Sequence, residues 1–177
     1  MVLGMHDICL ASKRLSMRPF CADDADAAFS CITPSLTRFM SWDPPASRED
    51  FDRVWQSWLP SMQDGIEFVF AIRQRRDGYF LGLAGLHNVR SASPELGIWI
   101  RENRHHEGFG REAVTLVLKW VSRNFHANKF IYPVAEENTS SRRIAESLGG
   151  VVVEKRETPK YPTVVYQIPA QNKKPQR

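Results

Sequence analysis

The chain has 177 residues, 42% of them hydrophobic and 25% charged, which fits one globular domain that can bury a core without disulfide staples. Cys9, Cys21 and Cys31 form no C-x-x-C pair, which argues against a disulfide framework or a zinc site and for reduced thiols in a cytoplasmic protein. Much of the net charge of +4 sits at Lys173, Lys174 and Arg177, and the body carries no aromatic-interleaved basic stripe, no signal-peptide pattern and no bilayer-length apolar run, so neither nucleic acid nor membrane is expected as a partner.

In chain order, "RLSMRPF" (14–20) alternates as a strand does. "ADDADAAFSCI" reads as a short helix that Asp23 or Asp24 could cap, and "PSLTRFMSWDPP" as a second one, broken by Pro44 and Pro45. "SREDFDRVWQSWLPSM" predicts an amphipathic helix with Ser47 as N-cap and Phe51, Val54, Trp55, Trp58 and Leu59 on its apolar face. "EFVFAIR" and "YFLGLAGLHNV" are strands joined by an Asp77-Gly78 turn, and "ELGIWI" (95–100) is the next strand, after Ser93-Pro94. A buried helix, "GREAVTLVLKWVSRNF", leads to the strand "KFIYPVA", the capped helix "NTSSRRIAESLGG" and a closing strand pair, "VVVEKRE" and "TVVYQI". Antiparallel strands come first, then one right-handed strand–helix–strand crossover.

The connection "RENRHHEGFGREA" contains a loose G-x-G-x-x-[GA] match, but a dinucleotide site does not fit it. Residues 101–107 separate the strand from Gly108, whereas a dinucleotide loop turns at once. The acidic residue expected at the end of the next strand is missing, since Glu136 and Glu137 come too late, and no Lys-Ser or Lys-Thr follows Gly110. The loop still favours an anion. Gly108 and Gly110 allow positive φ, the helix start offers unpaired amides, and Arg101, Arg104 and Arg111 add positive charge. Pro133 interrupts an interior strand, which predicts an edge, a bulge or a gap there. Glu95, Gly97 and Trp99 share one face of "ELGIWI", and the aliphatic residues share the other, which suits helix packing.

Taken together, "ELGIWI", "HHEGFGREAV" and "EENTSSRRIAESLGG" resemble the GCN5-related N-acetyltransferase (GNAT) superfamily, closest to its RimJ/RimL-like branch. The family's [QR]-x-x-G-x-[GA] appears as His105-His106-Glu107-Gly108-Phe109-Gly110, with His105 in place of Gln or Arg, and the branch's E-N-x-x-S as Glu137, Asn138 and Ser141. The resemblance runs from about Arg14 to Ile168. It implies an α+β fold of acyl-CoA N-acyltransferase type: a mostly antiparallel, splayed sheet of about seven strands with helices on both faces, forming one domain over 1–170 with a basic tail at 171–177.

The resemblance also implies acetyl-CoA as co-substrate, no metal, and direct attack of an amine on the thioester. The donor arm would lie along Ile98, Trp99 and Ile100. Its pyrophosphate would sit on Arg104, His105, His106, Glu107, Gly108, Phe109, Gly110 and Arg111, with Asn138 and Ser141 near the thioester. Glu95 is the base candidate, through water, or else a surface glutamate. Ser141 is the candidate proton donor to the leaving thiolate, with water as the alternative. The tyrosine that many members place four residues further on is here Ala145. Trp42, in "RFMSWDPPASREDF", marks the acceptor region. An α-amine costs about 1 kcal/mol to deprotonate at neutral pH and a lysine about 4.6 kcal/mol, so one water-mediated carboxylate favours a peptide N-terminus, ribosomal or other, or a weakly basic small amine. A non-catalytic acyl-CoA-binding protein of the same fold stays open, as does the choice between monomer and homodimer.

Overall fold

The computed structural model describes residues 4–171, so Lys173, Lys174 and Arg177 of the expected basic tail lie outside the described residues. A two-residue strand, β1 (Leu10–Ala11), pairs with β2 (Leu15–Pro19), where Leu15, Met17 and Pro19 are buried and Ser16 and Arg18 half-buried. The helix α1 (Ala25–Cys31) follows, and the expected aspartate cap does not form on it. The fully buried Asp24 carboxylate instead accepts from the Cys21 N–H at 3.0 Å and pairs with Arg18 and Arg73 at 3.2 and 2.8 Å. Two guanidinium groups compensate a buried charge better than helix amides alone.

Thr33 caps α2 (Pro34–Thr37), accepting from Leu36 N–H at 3.1 Å, with proline at its first turn. Ser47 caps α3 (Arg48–Gln63) as expected, accepting from Asp50 N–H at 3.1 Å. Phe51, Trp55 and Met62 define the buried stripe of α3, and Trp58 and Leu59 pack beside it. Val54 differs from expectation and stays 47% exposed, because it lies on the margin of that stripe.

The strands β3 (Phe68–Gln74), β4 (Phe80–His87) and β5 (Glu95–Ile100) form an antiparallel meander. A long helix, α4 (Phe109–Asn124), then crosses to β6 (Lys129–Ala135), the partner of β5 in the single parallel pairing. α5 (Thr139–Ser147), β7 (Val151–Glu157) and β8 (Pro162–Pro169) complete the chain. The strand order is β1-β2-β3-β4-β5-β6-β8-β7, so β8 inserts between β6 and β7, and the sheet has eight strands because β1 adds to the expected seven. β3 is buried on both faces: Phe68 and Phe70 meet Trp120 of α4 edge-on at 5.0 and 5.4 Å, and α3 covers the other face. Helices therefore cover both faces, and the core lies where β3 and β4 are sandwiched.

One break in the sheet positions everything else. β5 and β6 share only the pair Glu95↔Ile131, where Ile131 N–H donates to Pro94 C=O at 2.9 Å. Beyond that bridge the two strands part, while β6 stays paired with β8 from Lys129 to Ala135. The nitrogen of residue 133 points the same way as that of Ile131, toward β5. Proline has no N–H to leave unsatisfied in the opening, so Pro133 suits the gap.

Candidate active site

A cleft of about 570 Å³ opens from this break. Ile98, Trp99 and Ile100 form one wall, and Asn138, Ser141 and Ile144 of the α5 start form the opposite one. Arg104, His105, His106, Gly108, Phe109, Gly110 and Arg111 close the end at α4. The structure thus brings together twelve of the thirteen residues expected around the donor: the ten just named from Ile98 to Arg111, with Asn138 and Ser141. Glu107 lies just outside, where its carbonyl accepts from Arg14 at 3.0 Å.

The loop conformation corrects one expectation. Gly108 has φ 80°, and the other positive φ in the loop, 64°, belongs to His106. Gly110 is helical, inside the first turn of α4, and serves through its size: a β-carbon there would stand 3.0 Å from Ile144 Cδ1. Gly108 is the N-cap and offers no side chain to the first-turn amides, which are left for a ligand at the positive end of a 16-residue helix.

Arg104 is anchored by Nη2 donating to Gln74 at 2.6 Å, and its Nε–H is buried without a hydrogen-bond partner among the described residues. His105 Nε2 donates to Ile100 C=O at 2.6 Å, which pins the loop to the end of β5. Arg101 turns away and donates to Phe80 C=O and Asn103. Open amides, an unpaired buried guanidinium N–H and the exposed Arg111 fit a pyrophosphate, and the parted strands fit a narrow arm. Acyl-CoA has both parts, and bound there it supplies the activated thioester.

The sequence reading missed two supports. Arg14 joins Glu112 at 2.6 Å, stacks over the Phe109 ring at 4.5 Å, and so braces β2 against the glycine loop. A lone arginine before a strand gave no signal of a contact 98 residues away. On the far wall, Glu102 accepts from Thr33 and Ser35 at 2.6 and 2.7 Å, tying α2 to the segment after β5. Those hydroxyls hold the Glu102 carboxyl below its usual range.

Asn138 caps α5 as expected, its side-chain oxygen accepting from Ser141 N–H at 3.2 Å. The Ser141 hydroxyl lies 2.6 Å from the hydroxyl of Tyr132, a residue the sequence did not single out. Burial pushes the Tyr132 phenol up to about 12, against the opposing effect of that hydrogen bond. Glu95 sits half-buried at the bridge where β5 and β6 meet, outside the residues that line the cleft. Trp42 also lies off the cleft, 38% exposed, with its carbonyl accepting from Lys160 at 3.0 Å. The same ammonium reaches Thr37 C=O and Asp43, so the β7–β8 hairpin is tied to the segment after α2. Among the described residues no cluster of His, Cys, Asp or Glu is placed to hold a metal, and no helix is long and apolar enough to cross a membrane.

A strand pair that parts beside a glycine-loop helix start is the architecture of acyl-CoA-dependent acyltransferases, and the sequence places the chain among them. Residues 14–151 match the model of the acetyltransferase (GNAT) domain, so the chain belongs to the GNAT family, whose members use acetyl-CoA as acetyl donor. A search of curated proteins gives no significant match.

Among solved structures, the ribosomal-protein α-N-acetyltransferase RimL in complex with coenzyme A is similar at a TM-score of 0.82 and 14% identity, covering 92% of this chain and 98% of that one. RimJ of Mycobacterium smegmatis, with a CoA disulfide, gives 0.78 and 19%, with 88% and 82% covered. A Vibrio cholerae protein described as a candidate ribosomal-protein-serine acetyltransferase gives 0.79 and 18%, with 92% and 98% covered. At these identities the likeness speaks for the fold.

Proposed function

We propose that this enzyme, a RimJ/RimL-like GNAT protein, transfers acetyl from acetyl-CoA to the α-amine of a peptide or protein N-terminus. The observation that carries the donor half is the single cleft in which the Gly108 helix start and the β5–β6 gap run into each other. The acceptor half is supported by the easier deprotonation of an α-amine and by the resemblance to the RimJ/RimL-like branch.

In this reading the amine lone pair forms the bond to the thioester carbonyl carbon, and the carbon–sulfur bond breaks with its electrons on sulfur. Glu95, working through water from the strand bridge, takes the proton released by nitrogen. Ser141 gives its hydroxyl proton to sulfur and recovers one from solvent while Glu95 releases its proton to solvent, so the overall proton count closes. The loop amides and Arg104 hold the donor's phosphates and leave the acyl end near Asn138 and Ser141.

The test has two stages. Acetyl-CoA at 100-fold its Kd should stabilise the fold by about 2.7 kcal/mol in thermal melting, and NADH should not. Free-thiol release is then measured with a serine-initiated peptide, an α-blocked lysine peptide and a polyamine. Fastest turnover with the free N-terminus is the expected result. Preference for the polyamine would replace the acceptor with a small molecule, and binding without turnover on any amine would make the protein a sensor of acyl-CoA.

A further inference from the structure

The Tyr132 hydroxyl lies 2.6 Å from Ser141 Oγ, and that is its only hydrogen bond among the described residues. Tyr132 is 1% exposed, on the β6 face shared with the buried Phe130 and Val134, while Ser141 stands in the third position of α5 at the cleft wall. Either oxygen could carry the shared proton, and the surroundings decide which does. If serine donated, the phenol proton would be buried with no acceptor, a costly arrangement. Serine, at the cleft, has other places to send its own proton. Phenols are also the stronger donors of the two. The hydrogen bond therefore runs from tyrosine to serine.

We infer that Tyr132 is the positioning residue of acetyl transfer: its hydroxyl donates to Ser141 Oγ and thereby aims the serine proton into the cleft, at the departing sulfur. This rests on Ser141 acting as the proton donor. The bond also strengthens as the reaction proceeds. While Ser141 passes its proton to sulfur, negative charge grows on Oγ, and a fixed phenol O–H next to it stabilises that charge most in the transition state. The phenol keeps its own proton throughout, consistent with its raised pKa of about 12.

The experiment is a double-mutant cycle with Tyr132→Phe, Ser141→Ala and the combination, using acetyl-CoA and a serine-initiated peptide, with free thiol as readout and rates expressed per folded molecule. Tyr132→Phe should lower kcat about tenfold with KM for acetyl-CoA within twofold, and should do nothing further in the Ser141→Ala background. Equal loss in both backgrounds, or wild-type kcat in Tyr132→Phe, overturns the positioning role while leaving Ser141 in place. Wild-type kcat in Ser141→Ala instead removes the proton-donor reading and this inference with it.

A merely structural tyrosine would shift melting and leave the cycle additive. Should Tyr132→Phe fail to fold, replacing all tyrosines with 3-fluorotyrosine keeps every hydroxyl and strengthens it as a donor. A change in kcat that vanishes in Ser141→Ala supports the inference, and an equal change in both overturns it.

Discussion

At the residue scale, Gly108 and Gly110 look interchangeable in the motif and are not. Gly108 holds φ 80°, so Gly108→Val should destabilise the fold by about 1–2 kcal/mol and abolish the stabilisation by acetyl-CoA. Gly110→Val meets the flexible end of Ile144 closely and Ile100 at ordinary contact distance, so its melting temperature should stay close to wild type while donor affinity falls as the cleft narrows. Identical behaviour of the two in melting with and without donor would contradict this division. Glu95 raises a different question, since it stands at the strand bridge and not on the cleft wall. If it relays a proton through water, Glu95→Gln should bind acetyl-CoA normally and lose about 10²–10³ in turnover. That loss should shrink as pH rises and the amine deprotonates unaided. A flat pH profile with wild-type rates would make Glu95 structural.

At the scale of elements, helices announced themselves and long-range ties did not. Ser47 and Asn138 were legible as caps because a cap is written within four residues. Asn138→Ala should cost about 1 kcal/mol and fray the turn that presents Ser141, read as lower stability with a smaller loss per folded molecule than Ser141→Ala shows. The gap was legible through Pro133, since a proline in an interior strand asks for an explanation. The partners of Asp24, Ser141 and Glu112 were hidden because each comes from another part of the chain: Arg73 from β3, Tyr132 from β6, Arg14 from the bend before β2. Nor does any local pattern say that β8 enters between β6 and β7. Asp24 shows what this hides. Removing the charged hydrogen bonds that Arg18, Arg73 and the Cys21 N–H make to its carboxylate, Asp24→Ala should destabilise by about 1.5–3 kcal/mol, measured by urea unfolding. A change below 1 kcal/mol would show that the cluster is dispensable.

At the scale of the whole molecule, the brace between β2 and α4 should be visible in acid. Burial raises the Glu112 pKa, and the hydrogen bonds from Ser12 and Arg14 more than reverse that, so the folded value lies below the ordinary one. A carboxyl depressed by folding contributes stability above its unfolded pKa and loses it as pH falls through the folded value. Glu112→Gln should therefore melt lower than wild type at pH 7 and lose less on acidification below about pH 4.3. Parallel acid curves would rule the brace out as a source of stability.

The parted strands carry a last consequence. β1 to β5 form one leaf of the sheet and β6 to β8 another, and within the sheet a single residue pair sews them together. If the donor threads between them as proposed, it would act as a surrogate strand and take up main-chain hydrogen bonding left open in the gap. Binding should then be recorded in amide exchange: the free β5 amides along the opening slow when the donor is present, while those facing β4 stay as they were. The donor would in that sense be a removable piece of the sheet, filling the opening beyond the Glu95–Ile131 pair.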